Sequence, residues 1–381
     1  MSKWTIVKLG EVATYINGYA FKPSDWSDVG LPIIRIQDLT GNNYETNFYS
    51  GEYDPKYEIN DGDILISWSA SLGIYKWNSG KAVLNQHIFK VVFDKLQIDK
   101  NYYFYAVEYL LDDMTKETHG STMKHITKPR FDNTFFPYPP IQIQRRIAET
   151  LDKVNLLISI CRDMLIKCDT LVKSQFVEMF GDPGTNPKEW NETTIGKECY
   201  YIKDGPHKSL QDIGKENGGH PFISVRNIVN GYIDFSTAKY ISDDDYFDAI
   251  KKCNPEKGDM LYSKGGTTGI AKLVDIDEQF ANWVHVAVLK FDKLKINGIF
   301  FENMLNLDYC YQQSQRLTKG IANRDLVLSS IAQIQIYNPP LDLQNQFADF
   351  VKTIDKSKLA VKKTLEKAET LKKALMQEYF G

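Results

Sequence analysis

The hydrophobic pattern is most regular between Ile147 and Val172. Apolar residues recur there at alternating steps of four and three positions, which is the spacing of a coiled-coil seam. Pro140 before this stretch and Gly181 with Pro183 after it are typical start and stop signals of a helix. The pattern therefore predicts one helix over 141–181, about 60 Å long, whose apolar stripe must pack against another helix.

A second stretch of the same length follows another Pro-Pro pair, at 341–381. Its seam is weaker because Lys358 and Lys372 stand where apolar residues are expected, and lysine at a seam lowers stability but fixes register. We expect the two helices to pair as an antiparallel coiled coil that joins two modules at a fixed distance. The predicted pairing residues are Ile147, Leu151, Val154, Ile158, Leu165, Val172, Phe347, Val351, Ile354, Val361 and Leu365.

The whole chain is an internal repeat. Residues 139–181 share 12 of 43 positions with residues 339–381, at an offset of 200. The openings of the two halves match as well, with Trp4 and Trp190 at equivalent places. The sequence therefore predicts globular modules at 1–138 and 188–338, long helices at 139–181 and 339–381, and a linker loop at 182–187.

Each module is expected to belong to the α+β class. Short runs rich in β-branched and aromatic residues, such as 32–36 and 88–93, are separated by Gly, Asn and Asp turns. One or two helices follow later, as at 102–117. This order favours twisted β-sheets with helices packed on them.

Composition narrows the class of protein. The chain has 381 residues and a formal net charge of −3, so positive charge for a nucleic acid would have to be local. Its five cysteines form no Cys-x-x-Cys pair, which argues against zinc and a disulfide framework. No apolar run approaches the length of a membrane span, and the first residues lack an apolar signal core. We expect a cytoplasmic protein with no membrane contact and no metal.

Motifs for catalysis are incomplete. Asn338-Pro-Pro-Leu341 approaches an amino-methyltransferase motif, but the repeat-equivalent Tyr138-Pro-Pro-Ile141 lacks its Asn, and no Gly-rich cofactor turn lies upstream. Gly265-Gly-Thr-Thr-Gly269 lacks the Gly-Lys-Ser/Thr ending of a phosphate loop. The sequence favours a protein that is not an enzyme and holds no cofactor.

Nucleic-acid contacts are predicted in the loops. Lys124 and Arg324 are both basic and both lie four residues after an equivalent glycine, where they could contact phosphate or a guanine edge. Polar groups that can read base edges cluster elsewhere, and the repeat pairs His87 with His285. The candidate DNA-binding residues are Lys22, Arg35, Gln37, Asp38, Gln86, His87, Ser121, Lys124, Lys128, Arg130, Lys208, Arg226, Asn227, Lys264, Thr267, Thr268, His285, Lys319, Asn323 and Arg324.

Taken together, the duplication and its motifs resemble the specificity subunits of type I restriction–modification systems, over essentially the whole chain. The motifs that carry the resemblance are Trp4-Thr-Ile-Val-Lys-Leu-Gly10, Gly62-Asp-Ile-Leu-Ile-Ser67, Leu84-Asn-Gln-His-Ile-Phe89, Pro139-Pro-Ile-Gln-Ile-Gln-Arg-Arg146 and Phe180-Gly-Asp-Pro183. The second module departs from the pattern at Asn282-Trp-Val-His285, so Gln86 has no like-for-like partner there.

The resemblance implies a function. Two target-recognition domains would each read one half of a bipartite site in double-stranded DNA, and the paired helices would set the spacer between the halves. Two adenine-methylating modification subunits would dock on the helices, and two ATP-dependent restriction subunits could join them. S-adenosylmethionine, ATP and magnesium would then be bound by those partner subunits.

Two alternatives from other classes stay open on the sequence. One is a stand-alone DNA methyltransferase with an unrecognised cofactor site. The other is a scaffold whose two modules bind protein.

Overall fold

The computed structural model describes residues 4–41, 45–117, 126–321 and 323–381. The chain forms two compact units. Unit 1 comprises Met1–Arg162 and Lys363–Gly381, and unit 2 comprises Asp163–Lys362.

In unit 1 short strands precede the longer helices, as the order of turns and apolar runs predicts. The strands are β1 (Thr5–Lys8), β2 (Thr14–Asn17), β3 (Leu31–Ile34), β4 (Phe48–Tyr49), β5 (Glu58–Ile59), β6 (Ile64–Ser67), β7 (Gly73–Lys76), β8 (Ala82–Leu84), β9 (Ile88–Val92) and β10 (Phe135–Tyr138). The helices are α1 (Leu9–Val12), α2 (Ile36–Leu39), α3 (Lys100–Glu117), α4 (Lys128–Asp132) and the start of α5 (Ile141–Phe180).

Three ladders organise unit 1. One sheet has the order β2-β9-β6-β7 and is antiparallel throughout, and a second has the order β4-β3-β8-β5, in which β3 and β8 run parallel. Strands β1 and β10 form a separate antiparallel pair. Strand β6 is buried along its whole length, which places it at the centre of the unit. The loops between these strands carry the predicted site residues.

Unit 2 repeats this plan. Its strands are β11 (Glu192–Thr194), β12 (Cys199–Asp204), β13 (His220–Ile223), β14 (Lys239–Ile241), β15 (Met260–Ser263), β16 (Ala271–Leu273), β17 (Ala281–Asn282), β18 (Val286–Phe291) and β19 (Gln335–Tyr337). Its helices are α6 (Ile195–Glu198), α7 (Asp243–Lys252), α8 (Gly298–Leu305), α9 (Asp308–Leu317), α10 (Leu328–Ile331) and the start of α11 (Leu341–Phe380). The sheet order β12-β18-β15-β16 and the pair β11-β19 match those of unit 1, and the order β14-β13-β17 corresponds to β4-β3-β8, without a counterpart of β5 in the described residues. The predicted α+β duplication is confirmed.

Within each unit the two long helices pack antiparallel. In unit 2, Asp169 pairs with Lys358 at 2.6 Å and, further along, the Phe176 ring lies 5.3 Å from Phe347, so residue numbers rise on α5 while they fall on α11. In unit 1 the corresponding ion pair is Arg162 Nη2 with Glu369 Oε1, at 2.7 Å. The predicted antiparallel pairing of long helices is therefore confirmed.

Burial follows the predicted seam. The buried members are Ile147, Leu151, Val154, Ile158, Phe347 and Val351, and the half-buried members are Leu165, Val172, Ile354, Val361 and Leu365. The two lysines that interrupt the second seam find carboxylates: Lys358 bonds Asp169, and Lys372 Nζ lies 3.3 Å from Glu108 Oε1. Each lysine therefore keeps its charge compensated at the edge of the seam.

The ends of the long helices belong to the cores of the units. In unit 1 the Phe380 ring lies 5.5 Å from Tyr102, and in unit 2 the Phe180 ring lies 4.8 Å from Phe300. Gly181, with φ of +79°, ends α5 at the predicted stop. Aromatic side chains at the ends of both long helices therefore pack against the cores of the compact units.

Candidate nucleic-acid interface

In unit 2 backbone hydrogen bonds join four loops at one edge of the sheets. The bonds run from Trp283 N–H to Ile223 O (2.9 Å), from Lys264 N–H to His285 O (2.8 Å), from Leu326 N–H to Lys264 O (2.7 Å) and from Gly266 N–H to Arg324 O (3.1 Å). Since each loop is bonded to the next, their side chains are held in fixed relation to one another.

These loops surround an open cleft of about 480 Å³. Four predicted residues line it, namely Arg226, His285, Asn323 and Arg324. Trp283 and Asp325, which the sequence reasoning did not single out, line it as well. The cleft therefore combines cationic, aromatic, amide and carboxylate groups, which is a chemistry suited to base edges and phosphates.

Arg226 and Asn227 are adjacent but have different roles. The exposed Arg226 lines the cleft, and its Nη2 donates to Thr237 O at 2.6 Å. The Asn227 side chain is buried, accepts from Ser224 N–H at 2.8 Å and donates to Asp234 O at 2.9 Å. Its amide is thus used within the loop, and we correct the expectation that Asn227 reads a base.

The repeat-equivalent pair in unit 1 is divided in the same way. Asp38 Oδ2 accepts from Arg35 N–H at 2.8 Å and so caps the short helix α2. Gln37, at the position of Arg226, is half-buried on the same helix. In both units, therefore, one polar residue fixes the turn, and its neighbour is not used in that bond.

Two further predicted residues of unit 2 are buried, so they cannot contact DNA directly. Lys264 is only 5% exposed, and its Nζ lies 3.0 Å from Asp325 Oδ1. Thr268 is 1% exposed, and its hydroxyl lies 3.0 Å from that of Thr318. The structure gives both residues an internal role and corrects the expectation of direct contact.

The remaining candidates of unit 2 are on the surface. Thr267 and Lys319 are exposed outside the cleft lining. Lys208 is exposed as well, and its Nζ lies 3.2 Å from Asp245 Oδ1.

His285 shows why glycine is required in the 265–269 loop. A Cβ on Gly265 would overlap the His285 ring, so only glycine lets the ring approach the backbone this closely. The ring meets Trp283 edge-on at 4.7 Å. Within the described residues, His285 Nδ1 and Trp283 Nε1 are enclosed without a hydrogen-bond partner. The loop therefore serves to hold a histidine and a tryptophan with unsatisfied polar atoms beside the cleft.

Unit 1 uses the same backbone framework. The bonds are Asn85 N–H to Ile34 O (3.0 Å), Trp68 N–H to His87 O (3.2 Å) and Ile126 N–H to Trp68 O (2.9 Å). They bring the α2 turn, which carries Arg35 and Gln37, next to Gln86 and His87. Ser121 and Lys124 lie outside the described residues.

Two non-glycine residues of unit 1 have left-handed backbone conformations in these loops. Ala70 has φ of +58° and His87 has φ of +76°. Such conformations cost about 1–3 kcal/mol each and concentrate at functional sites. His87 is exposed and lies edge-on to Trp68 at 5.0 Å, while the Arg35 guanidinium lies 4.4 Å above Trp26. The strained loop thus presents an exposed histidine beside the Trp68 ring.

The other basic candidates of unit 1 lie on the surface. Lys22, Lys128 and Arg130 are exposed, and Lys128 Nζ lies 2.8 Å from Asp132 Oδ2. The residues that sequence reasoning missed are Trp26, Trp68, Trp283 and Asp325. Trp68 could have been found by aligning the repeats, because it stands at the position of Lys264 in otherwise matching strands.

None of the helices in the described ranges is long and apolar enough to cross a membrane. No group of three or more His, Cys, Asp or Glu side chains in the same ranges is placed to hold a metal ion.

The chain is thus a duplicated protein of two α+β modules, each with a polar and aromatic edge built by loops, and its two long helices are paired. The model of the family described as "Type I restriction modification DNA specificity domain" matches residues 1–166 and 187–370. The chain belongs to this family of type I restriction–modification specificity domains.

Individual relatives are distant in sequence but match nearly the whole of this chain. The chain is 22% identical over 415 residues to the type I restriction enzyme EcoBI specificity subunit of Escherichia coli, covering 99% of this chain and 85% of that protein. It is 23% identical over 394 residues to the MjaVIII specificity subunit of Methanocaldococcus jannaschii, covering 98% and 91%. The fold is similar to the crystal structure of a type I S subunit from M. genitalium, with a TM-score of 0.60, 15% identity and coverage of 100% and 96%.

Proposed function

We propose that this chain is the DNA-specificity subunit of a type I restriction–modification complex and that each unit reads one half of a bipartite target. The observation that carries the proposal is a retained loop framework with exchanged side chains. The bonds at Trp68 and His87 in unit 1 recur at Lys264 and His285 in unit 2, although residues 68 and 264 differ in kind. A fixed framework with variable side chains is what two readers of different sequences require.

The cleft of unit 2 supports base reading by hydrogen bonds. Arginine pairs with guanine O6 and N7 through two N–H groups, and Arg226 and Arg324 both line the cleft. Asn323 is exposed beside them and can pair with adenine or a phosphate. In unit 1, Arg35, Gln37 and Gln86 are the corresponding candidates.

The paired helices are proposed to set the spacer between the half-sites. Each helix has 40 residues, so each is about 60 Å long. A helix held by a seam and by ion pairs resists bending, and it therefore suits a spacer of constant length.

The outer surface of the helices is the proposed docking surface for two adenine methyltransferase subunits. Nine of the twenty exposed large apolar side chains in the described residues lie on α5 and α11. Exposed apolar residues in such a concentration mark protein interfaces. Transfer of a methyl group from S-adenosylmethionine is assigned to those partners, and ATP and magnesium to restriction subunits that join them.

The test is methylation mapping together with DNA binding. Adenines methylated in cells that carry this chain and its modification subunits should define one bipartite sequence, and the full-length chain should prefer duplex with that sequence over scrambled duplex. Methyl transfer by the isolated chain would instead favour a stand-alone methyltransferase. Binding to random duplex that does not weaken with salt would favour a protein scaffold, since phosphate contacts release counterions.

A further inference from the structure

We infer that Asp325 in the cleft of unit 2 determines sequence by accepting a hydrogen bond from the amino group of an adenine or a cytosine. The inference rests on the proposed function and deepens it, because it names the class of base that one position of the half-site must contain. Asp325 is the acidic residue of a cleft whose other charged groups are Arg226 and Arg324.

The backbone of Asp325 is held in place. Its N–H donates to Lys319 O at 2.9 Å, and its carbonyl accepts from Lys319 N–H at 2.9 Å. On its two sides, Gly266 N–H donates to Arg324 O and Leu326 N–H donates to Lys264 O. The side chain is 46% exposed and lines the cleft. Asp325 is therefore both positioned and accessible.

A buried lysine orients the carboxylate. Lys264 Nζ lies 3.0 Å from Asp325 Oδ1, and the Lys264 side chain is 6% exposed. Among the described residues, no side chain forms a hydrogen bond or ion pair with Asp325 Oδ2. Lys264 thus fixes one carboxylate oxygen and leaves the other for a ligand.

The charges behind the cleft balance. Lys264 also faces Asp204 Oδ2 at 3.5 Å, and Lys252 lies 2.9 Å from Asp204 Oδ1. Two lysines therefore compensate two aspartates. The Asp325 side chain lines the cleft, and a carboxylate there accepts hydrogen bonds and donates none.

A carboxylate is a selective group in a DNA groove. It is repelled by phosphate, and the major-groove edges of guanine and thymine offer it only acceptors. Adenine N6 and cytosine N4 are the major-groove donors that it can bond. Asp325 should thus attract adenine and cytosine and repel guanine and thymine. A site that repels the wrong partner as well as attracting the right one gains specificity.

The two units differ at this point. The backbone bond from Leu326 N–H to Lys264 O corresponds to that from Ile126 N–H to Trp68 O. By the repeat, unit 1 has Trp68 in place of Lys264 and His125 in place of Asp325, and His125 lies outside the described residues. A carboxylate held by a buried lysine is therefore a property of unit 2, and its preference belongs to one half-site only.

The experiment is a selection from duplexes in which both half-sites are randomised, using the full-length chain assembled with its modification subunits. Wild type, Asp325→Asn, Asp325→Ala and the control Asp277→Asn are compared. Asp277 is 85% exposed in the same unit and pairs with Lys257 at 2.8 Å, outside the cleft. Wild type and the control should select adenine or cytosine at one position of one half-site.

Asp325→Ala should reduce that preference by about 5- to 150-fold, the range of one good base contact, and leave the other positions unchanged. Asp325→Asn should keep adenine, because asparagine pairs with adenine N6 and N7, and should accept guanine or thymine more readily than wild type, because an amide also donates hydrogen bonds. Asn also keeps an acceptor for Lys264, so this variant carries the test if the alanine variant fails to fold.

Unchanged preferences in the Asp325 variants that fold would overturn the inference, and so would selection of guanine or thymine by wild type at the position that the variants alter. If wild type selects no sequence at all, the proposed function itself fails. That result is distinct from a normal bipartite selection that ignores Asp325.

Discussion

Replacing Arg324 by alanine should weaken specific DNA binding without unfolding unit 2. The side chain is exposed and its guanidinium bonds Gln315 Oε1, while the backbone contact of residue 324 is a carbonyl that accepts from Gly266 N–H. Alanine retains that carbonyl. The loop should therefore keep its place, and the loss of binding should report the guanidinium itself.

The size and salt dependence of the loss identify the contact. A base contact should cost about 1–3 kcal/mol, which is roughly a 5- to 150-fold weaker affinity, with relaxed selection at one position and an unchanged salt slope. A phosphate contact should weaken all sequences alike and reduce the slope of log K against log salt by about 0.9. Between 50 and 200 mM salt, that change in slope alters the ratio of wild-type to variant affinity by roughly 3.5-fold.

The assay is fluorescence anisotropy of labelled target and scrambled duplexes at four salt concentrations. Arg316→Ala is the matched control, because Arg316 is an exposed arginine on α9 of the same unit and lies outside the cleft. Equal losses in the two variants would mean that general charge accounts for the effect, and no loss in Arg324→Ala would refute its role as a DNA contact.

Three further predictions follow from the fold. Deleting Ile158–Met164 from α5 and Leu365–Leu371 from α11 removes one heptad, about 10 Å, from each helix. The spacer between the half-sites should then shorten by roughly 3 base pairs. Methylation mapping that shows changed half-sites with an unchanged spacer would contradict the proposal that the helices set the spacer. Asn227→Ala should lower the free energy of unfolding of unit 2 by about 1–3 kcal/mol because it leaves buried loop groups unpaired, whereas Arg226→Ala should leave urea unfolding unchanged and weaken DNA binding. Burial raises the pKa of the Cys199 and Cys310 thiols to about 12 and that of Cys253 to about 11. At pH 8 these three thiols therefore remain protonated, and a thiol reagent should rapidly label at most Cys161 and Cys168 in the native protein. Rapid labelling of a third thiol would show that a core opens.

The long helices could be predicted closely because their signal is periodic and local. The step pattern from Ile147 to Val172 and the proline and glycine signals gave a helix that the structure bounds as Ile141–Phe180. The duplication then identified the partner, since a repeat at a constant offset requires no knowledge of distant contacts. Neither signal could show that the two ends of a helix are buried in different units, because that depends on aromatic packing between residues far apart in sequence.

The candidate site could be predicted only in part. Charge and polarity identified Arg226 and Asn227 equally, but the structure separates a residue that lines the cleft from one that caps the turn. A signal was present, because Ser224 and Asn227 are spaced by three residues as in a capping box. The role of Asp325 could not be inferred in this way, because it depends on Lys264, 61 residues away in the chain.

The duplication is less symmetric on the outside of the helices than at the seam. Leu171 and Leu371 are both exposed at equivalent positions, but the exposed Leu156 and Ile166 of α5 correspond to Lys356 and Glu366 of α11. The seam keeps apolar residues on both helices except at Lys358 and Lys372, which find carboxylate partners, whereas the outer face is free to differ. Two copies of one methyltransferase subunit that dock as proposed would therefore meet an apolar surface on α5 and a charged one on α11, so their binding energies would be unequal even though the modules share one fold.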